Sequence, residues 1–169
     1  FSIGEVEVEG SALYHKTEYR ERRDHFSFYS ANAPLAGFDT DREAFLGIYN
    51  GYLDPQVPLS GQSGNSVASG WAPIASHHLR VALQPGETKT LVFILGYIEN
   101  PEKEKWERPG IINKTRAYAL QKRFASAAAV DQALAELRAH WDRLLAKYEL
   151  ACPDEKLRRM ANIWNPYQC

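Results

Sequence analysis

Cysteine is nearly absent from this 169-residue chain, which has only Cys152 and Cys169. Two thiols allow at most one bridge and no disulfide framework, so a reducing compartment is the simpler reading. Long apolar runs are missing as well. The longest, Leu91 to Leu95, is strand-sized, far short of the ~18 residues a membrane helix needs. No sign of charge dominates: 20 Lys+Arg against 21 Asp+Glu leave a formal net charge of -1. That balance gives no electrostatic case for nucleic acid or an anionic membrane as partner. No charged-then-apolar targeting segment follows Phe1, and no internal repeat is visible. The expectation is a cytoplasmic protein.

What is present is ordinary globular composition with an excess of rings. Hydrophobic residues make up 44% and charged residues 24%, which excludes a disordered or low-complexity chain. The length fits one domain, or one domain with an appendage. Four Trp, nine Tyr and seven Phe bring the aromatic share to 12%, enough to fill a core or to meet sugars or a partner domain. The chain opens on Phe1 and closes on Trp164-Asn165-Pro166-Tyr167-Gln168-Cys169. Natural termini are usually polar, so both ends read as cuts within a longer chain.

Residues 1–100 read as β. Val6 and Val8 alternate with Glu5, Glu7 and Glu9, as in a strand with one wet face. His25 to Ser30 is an aromatic, strand-length run. Leu79, Val81 and Leu83 alternate with polar residues, then Pro85-Gly86 suits a type II turn. Leu91 to Leu95 is apolar on both pleat faces, so a long antiparallel hairpin around Pro85-Gly86 is predicted, with its second strand buried between layers. Asp39 to Leu46 reads as a short capped helix. Residues 59–70 read as a flexible surface loop from their Gly and Ser content.

Residues 114–169 read as helical. Val130, Leu134, Leu137, Trp141, Leu144, Leu145 and Tyr148 form one stripe of a helix from about Ala127 to Leu150. Pro153 is set to open a second helix, with Asp154 and Glu155 in its first turn. Pro166 is set to end or kink it near Asn165. Little chain remains to cover the apolar stripe, which must meet the β part, another domain or a second copy.

Candidate chemistry is sparse. Adjacent His77 and His78 on a strand point to opposite faces and cannot chelate one metal together. No other His, Cys, Asp or Glu grouping has ligand spacing, so no metal site is expected. Asp39 and Asp41 could pair as general acid and base, but helix capping accounts for them more simply. Ser60 to Ser69 lacks the Lys-Ser/Thr ending of a phosphate loop. The mixed-sign run Lys16 to Asp24 reads as a solvated, self-paired surface. Arg20 within it could still donate paired hydrogen bonds to a sugar or phosphate. Trp71 and Trp106 could stack on a sugar face, although a buried or interface Trp is commoner.

Several blocks together resemble one family. They are Gly4 to Gly10, Tyr14 to Arg22, Gly37 to Gly47, Gly70 to Ile74, Leu95 to Tyr97, Leu137 to Asp142, and Asn162 to Cys169. Their order and spacing resemble the cellobiose phosphorylases, inverting glycoside phosphorylases of glycoside hydrolase family 94. The resemblance implies a galactose mutarotase-like super-β-sandwich, then linker helices, then an (α/α)6 barrel. On that layout residues 1–113 are part of the sandwich, 114–152 the linker, and 153–169 the first residues of the barrel.

The resemblance also implies a reaction: phosphate cleaves cellobiose, with inversion, to α-glucose 1-phosphate and glucose. No cofactor is implied, since phosphate is a substrate. The general-acid Asp would lie beyond Cys169, and a sugar-contacting Arg just before Phe1, so no catalytic residue carries over. Arg20, Trp71, Tyr167 and Gln168 remain as substrate-binding candidates, packing being the alternative for the last two. The segment alone would be an inactive scaffold that shapes the site entrance and helps build a homodimer. The rival readings are a stand-alone carbohydrate-binding or structural β module, and a phosphorylase of cellodextrins, chitobiose or laminaribiose.

Overall fold

Residues 4–17, 24–70 and 72–168 are described by a computed structural model. The chain divides into two units, 1–127 and 128–169. In the first, strands β1 (Gly4–Glu9) and β2 (Ala12–Thr17) turn about Gly10, whose φ of 58° suits glycine. β3 (His25–Ala31) continues the meander, and β7 (Phe93–Glu99) pairs antiparallel with β3. With β5 (Ser69–Gly70) they form one sheet in the order β5-β1-β2-β3-β7.

Alternation sorts this sheet into two faces. On one face, cross-strand register aligns Glu7 with Tyr14, Tyr14 with Phe28, and Phe28 with Gly96. Tyr14, Phe26 and Phe28 are fully buried there, and the Tyr14 ring lies 6.1 and 6.2 Å from the other two. Each such ring stabilises the fold by about 2–3 kcal/mol through burial. Helix α3 (Thr115–Arg123) covers them with Ala117 and Leu120, and Ile112 fills the remaining gap. The polar end of Tyr14 is satisfied by Gln121, whose Nε2 donates to the hydroxyl at 2.9 Å.

The other face carries the second layer, β4 (Gly37–Asp41) paired with β6 (Pro73–His78). Ile74 and Ala75 face Val6 and Leu13 across a small cavity, and the His77 ring stacks on Tyr29 at 4.4 Å. Among the described residues two strands lie against five, so β7 is left partly uncovered. Leu95 is 80% exposed, while Ile94 and Ile98 point inward. The predicted double-sided burial of this strand is therefore corrected: one pleat face packs on the core, while the face carrying Phe93, Leu95 and Tyr97 is only partly covered.

The long hairpin is also corrected. Its turn forms, with Glu87 N–H donating to Gln84 C=O at 2.9 Å and Gly86 at φ 81°. The flanking strands, however, belong to different sheets: β6 pairs with β4 and β7 with β3. Residues 79–92 are a crossover between layers, and their polar centre has no strand partner among the described residues.

A capped helix forms here, but it is shorter than predicted: residues 39–41 end β4, and Asp41 caps α1 (Arg42–Leu46) by accepting from Ala44 N–H at 2.9 Å. Asp39 does something else. Its buried carboxylate accepts from Gly64 N–H, Ser66 N–H and Ser66 Oγ at 3.0, 3.1 and 2.7 Å. Thr40 binds Ser66 C=O and Ala68 N–H. The Ser/Gly-rich segment that read as flexible is thus held alongside β4, after α2 (Gln56–Ser60).

In the second unit, α4 (Ala127–Leu145) is shorter than predicted. Lys147 and Tyr148 N–H groups bond three residues back, which tightens and ends the last turn. Asp154 caps α5 (Glu155–Arg159), accepting from Lys156 and Leu157 N–H, so the helix opens two residues after Pro153. A π-helical turn (Met160–Trp164) follows, then α6 (Asn165–Tyr167). The chain stays helical through Pro166 because the widened turn precedes it, with Asn165 N–H reaching Met160 C=O. Asn162 on that turn grips Leu150, accepting from its N–H at 2.8 Å and donating to its C=O at 3.0 Å.

Candidate functional site

The densest cluster of charge lies where sequence reading placed a wet face. Glu5, Glu7 and Glu9 leave β1 on one side, spaced two apart, and meet two buried lysines. Lys16 Nζ lies 3.0 Å from both Glu5 Oε2 and Glu7 Oε1, and also donates to Gly110 C=O. Lys114 Nζ lies 2.6 Å from Glu7 Oε2 and 3.6 Å from Glu9 Oε2. Ile112 N–H donates to Glu7 at 3.0 Å, and Tyr118 hydroxyl to Glu9 at 2.7 Å. The carboxylates thus tie three things to the sheet: the ribbon of β8 (Trp106–Arg108) and β9 (Ile111–Ile112), the start of α3, and Tyr118 on α3.

The electrostatics are those of a clamp. Burial alone would raise the Glu7 carboxyl pKa, but hydrogen bonds from Lys114, Ile112 N–H and Lys16 outweigh it and hold it below the usual range. Burial alone would lower Lys16, yet Glu5 and Glu7 raise it. Burial and then Glu9 push the Tyr118 hydroxyl well up. Each shift locks a group in its ordinary charge state at neutral pH, the opposite of what proton transfer requires.

Trp106 belongs to this cluster. Lys105 Nζ sits 4.3 Å and Lys16 Nζ 5.4 Å from its ring centroid. The ring serves as a seat for two ammonium groups while remaining 37% exposed. Lys16, expected on a solvated surface, is buried beneath the ribbon.

The histidines do not converge. His78 Nδ1 shares a 3.2 Å hydrogen bond with Ser63 Oγ, whereas His77 lies in the ring stack with Tyr29 and Phe93. Burial lowers the pKa of both His15 and His77. Among the described residues no group of three or more His, Cys, Asp or Glu is placed to hold a metal. No described helix is long and apolar enough to cross a membrane. Cys152 is a free thiol.

Arg20 and Trp71 lie outside the described residues. Tyr167 and Gln168 are exposed on the second unit, the Tyr167 ring set edge-on to Trp164 at 6.2 Å. Sequence reading missed the partners of Glu7. The E-x-E-x-E alternation was visible, but Lys16 and Lys114 are 98 residues apart and only the fold unites them.

A two-layer antiparallel sandwich clamped to a helix, followed by a helical unit, defines a β-sandwich scaffold with no assembled catalytic centre among the described residues. The sequence profile of the glycosyl hydrolase 94 supersandwich domain matches residues 1–126. The chain belongs to that family. It is 29% identical over 156 residues to an N,N′-diacetylchitobiose phosphorylase of Vibrio proteolyticus. It is 28% identical over 158 residues to an N,N′-diacetylchitobiose phosphorylase of Vibrio furnissii. Each alignment covers 92% of this chain and 17% of the relative. A third relative, 28% identical over 144 residues, is the cyclic beta-(1,2)-glucan synthase NdvB of Rhizobium meliloti (strain 1021); that alignment covers 84% of this chain and 5% of the synthase. The chain therefore spans about a sixth of the phosphorylases it matches.

Proposed function

We propose that this chain is the scaffold portion of an inverting glycoside phosphorylase acting on a β-linked disaccharide. The supporting observation is the supersandwich match over residues 1–126, with phosphorylases among the relatives. In the proposed reaction a phosphate oxygen bonds to the anomeric carbon while the glycosidic C–O bond breaks. A carboxylic acid outside this chain gives its proton to the departing oxygen, and the product is an α-sugar 1-phosphate. The part played by residues 1–169 is mechanical. The Glu7 clamp and the aromatic core hold a rigid sandwich, and Arg20, Trp71, Tyr167 and Gln168 are the residues proposed to reach toward sugar. A cytoplasmic homodimer is the proposed setting.

Cellobiose is the first substrate proposed, from the sequence blocks quoted above. N,N′-diacetylchitobiose is the second, favoured by the names of two relatives. Incubating the full-length polypeptide with inorganic phosphate and each disaccharide separates them. Glucose 1-phosphate from cellobiose supports the first, and N-acetylglucosamine 1-phosphate from diacetylchitobiose the second. Tight sugar binding by residues 1–169 alone, with no phosphorolysis by the full-length polypeptide, would instead indicate a carbohydrate-binding module.

A further inference from the structure

The buried face of the first unit breaks its own pattern at one end. Along β3 the residues that point toward α3 are Phe26, Phe28 and then Ser30. Ser30 stands between Ala12 on β2 and Ile94 on β7. Where the core elsewhere holds rings, these small residues leave a cavity of about 340 Å³ beside the last turn of α3. That volume lies at the lower end of the ~300–1,000 Å³ of small-ligand clefts. Every lining residue belongs to the first unit.

The cavity is polar without being charged. Ser30 lines it and is 3% exposed, and its hydroxyl has no hydrogen-bond partner among the described residues. A buried hydroxyl normally finds a partner. Gln121 gives an amide N–H to the Tyr14 hydroxyl at 2.9 Å, while its carbonyl oxygen meets no donor among the described residues. Ser11 Oγ donates to Ala31 C=O at 2.6 Å and keeps its lone pairs for an incoming donor. Asn32 braces the wall, accepting from Val92 N–H at 2.9 Å and donating to Ala125 C=O at 3.3 Å. Phe124 and Ile94 supply apolar surface. No Asp, Glu, Lys, Arg or His lines the cavity. Arg123 lies over the Phe124 ring, 5.0 Å from its centroid, outside the lining.

This lining selects its guest. Alcohol groups both donate and accept, as two serine hydroxyls and an amide carbonyl require, and a C–H face packs on a ring and an aliphatic side chain. An anion would find no cation in the lining. A purely apolar guest would leave Ser30 and Gln121 unpaired. We propose that this cavity binds a neutral polyol of the size of one sugar ring, with Ser30 and Gln121 as its hydrogen-bonding residues. The proposal stands on the cavity and not on the phosphorylase reading, so each can fail without the other.

Fluorine NMR of the full-length polypeptide, with 4-fluorophenylalanine in place of Phe124, tests it, because the label sits in the cavity wall. Titration with glucose should move the resonance saturably, with a Kd of about 1–10 mM, the range open to a ligand of about a dozen non-hydrogen atoms. Inorganic phosphate at the same concentrations should leave the resonance in place. Ser30→Ala should weaken glucose binding about fivefold, through loss of one hydrogen bond. Ala33→Leu, which fills the cavity from a half-buried lining position, should abolish the shift. The circular dichroism spectrum should be kept in both variants. A resonance that glucose leaves unmoved would overturn the proposal and mark a cavity that holds water only. So would equal affinity in the parent and both variants, which would mark binding elsewhere, or an equal response to phosphate, which would mark an anion site.

Discussion

Gly96 on β7 lies directly opposite Phe28 on β3, and the edge of the Phe28 ring fills the space a β-carbon at position 96 would occupy. Phe28 is fully buried between Tyr14 and α3, so its ring has nowhere to retreat. Gly96→Ala should therefore destabilise the first unit by about 2–3 kcal/mol through overpacking. Leu95→Ala, one residue away on the uncovered face, should cost under about 0.5 kcal/mol. Paired urea titrations of the two variants check the contrast, and equal losses would refute it.

Glu7 and Lys114 form the tightest ion pair of the clamp, with the lysine side chain almost wholly buried. Lys114→Met leaves a half-buried carboxylate short of one cation, at a cost of roughly 3 kcal/mol. Adding Glu7→Gln should recover about 1 kcal/mol or more, because the remaining charge is then removed. A double-mutant cycle by urea unfolding measures the coupling, and simple additivity would argue against a coupled pair.

Stability should fall on both sides of neutrality. His15 and His77 have lowered pKa values in the folded state, so below pH 6.5 the unfolded chain takes up protons that the folded chain refuses. Stability therefore declines as pH drops from about 6.5. Glu7, also lowered, adds to the loss below its ordinary value of 4.5. On the alkaline side Tyr118 and Lys16 are raised, so the unfolded chain loses protons first, and stability declines above about pH 10. Urea midpoints from pH 4 to 11 trace both limbs. His77→Phe should flatten the limb between pH 6.5 and 5; an unchanged slope would mean that the buried imidazole is not responsible.

Asp39 supplies three acceptor contacts to residues 64–66. Asp39→Ala should cost about 2–3 kcal/mol, since each lost partner leaves a donor unmatched. Hydrogen exchange at Gly64 and Ser66 amides should accelerate far more than exchange in β2. Asp41→Ala, which removes only a helix cap, should cost about 1 kcal/mol.

Local signals were legible and long-range ones were not. The β-then-α order, the strand at Val6 and Val8, the Asp41 cap and the turn at Pro85-Gly86 each follow from a few neighbouring residues. The partners of those elements depend on topology. The turn at Gly86 forms as its residues dictate, yet β6 and β7 pair elsewhere because β3 and β4 offer the matching edges. Asp39 and Asp41 look alike in sequence, but one side chain meets the helix it precedes and the other a segment 25 residues on. Glu7 read as solvent-facing because its lysines come from β2 and from beyond the ribbon. The apolar stripe of α4 was readable from spacing alone, since helical periodicity is local.

Phosphate dependence is the most direct test of the central claim, that this sandwich serves a phosphorylase and performs no chemistry itself. ³¹P NMR of the full-length polypeptide with a β-linked disaccharide and inorganic phosphate should show an α-sugar 1-phosphate accumulating, with no cleavage when phosphate is withheld. Residues 1–169 alone should leave both substrates unchanged. Cleavage of the disaccharide by water without phosphate, or turnover by residues 1–169 unaided, would contradict the account.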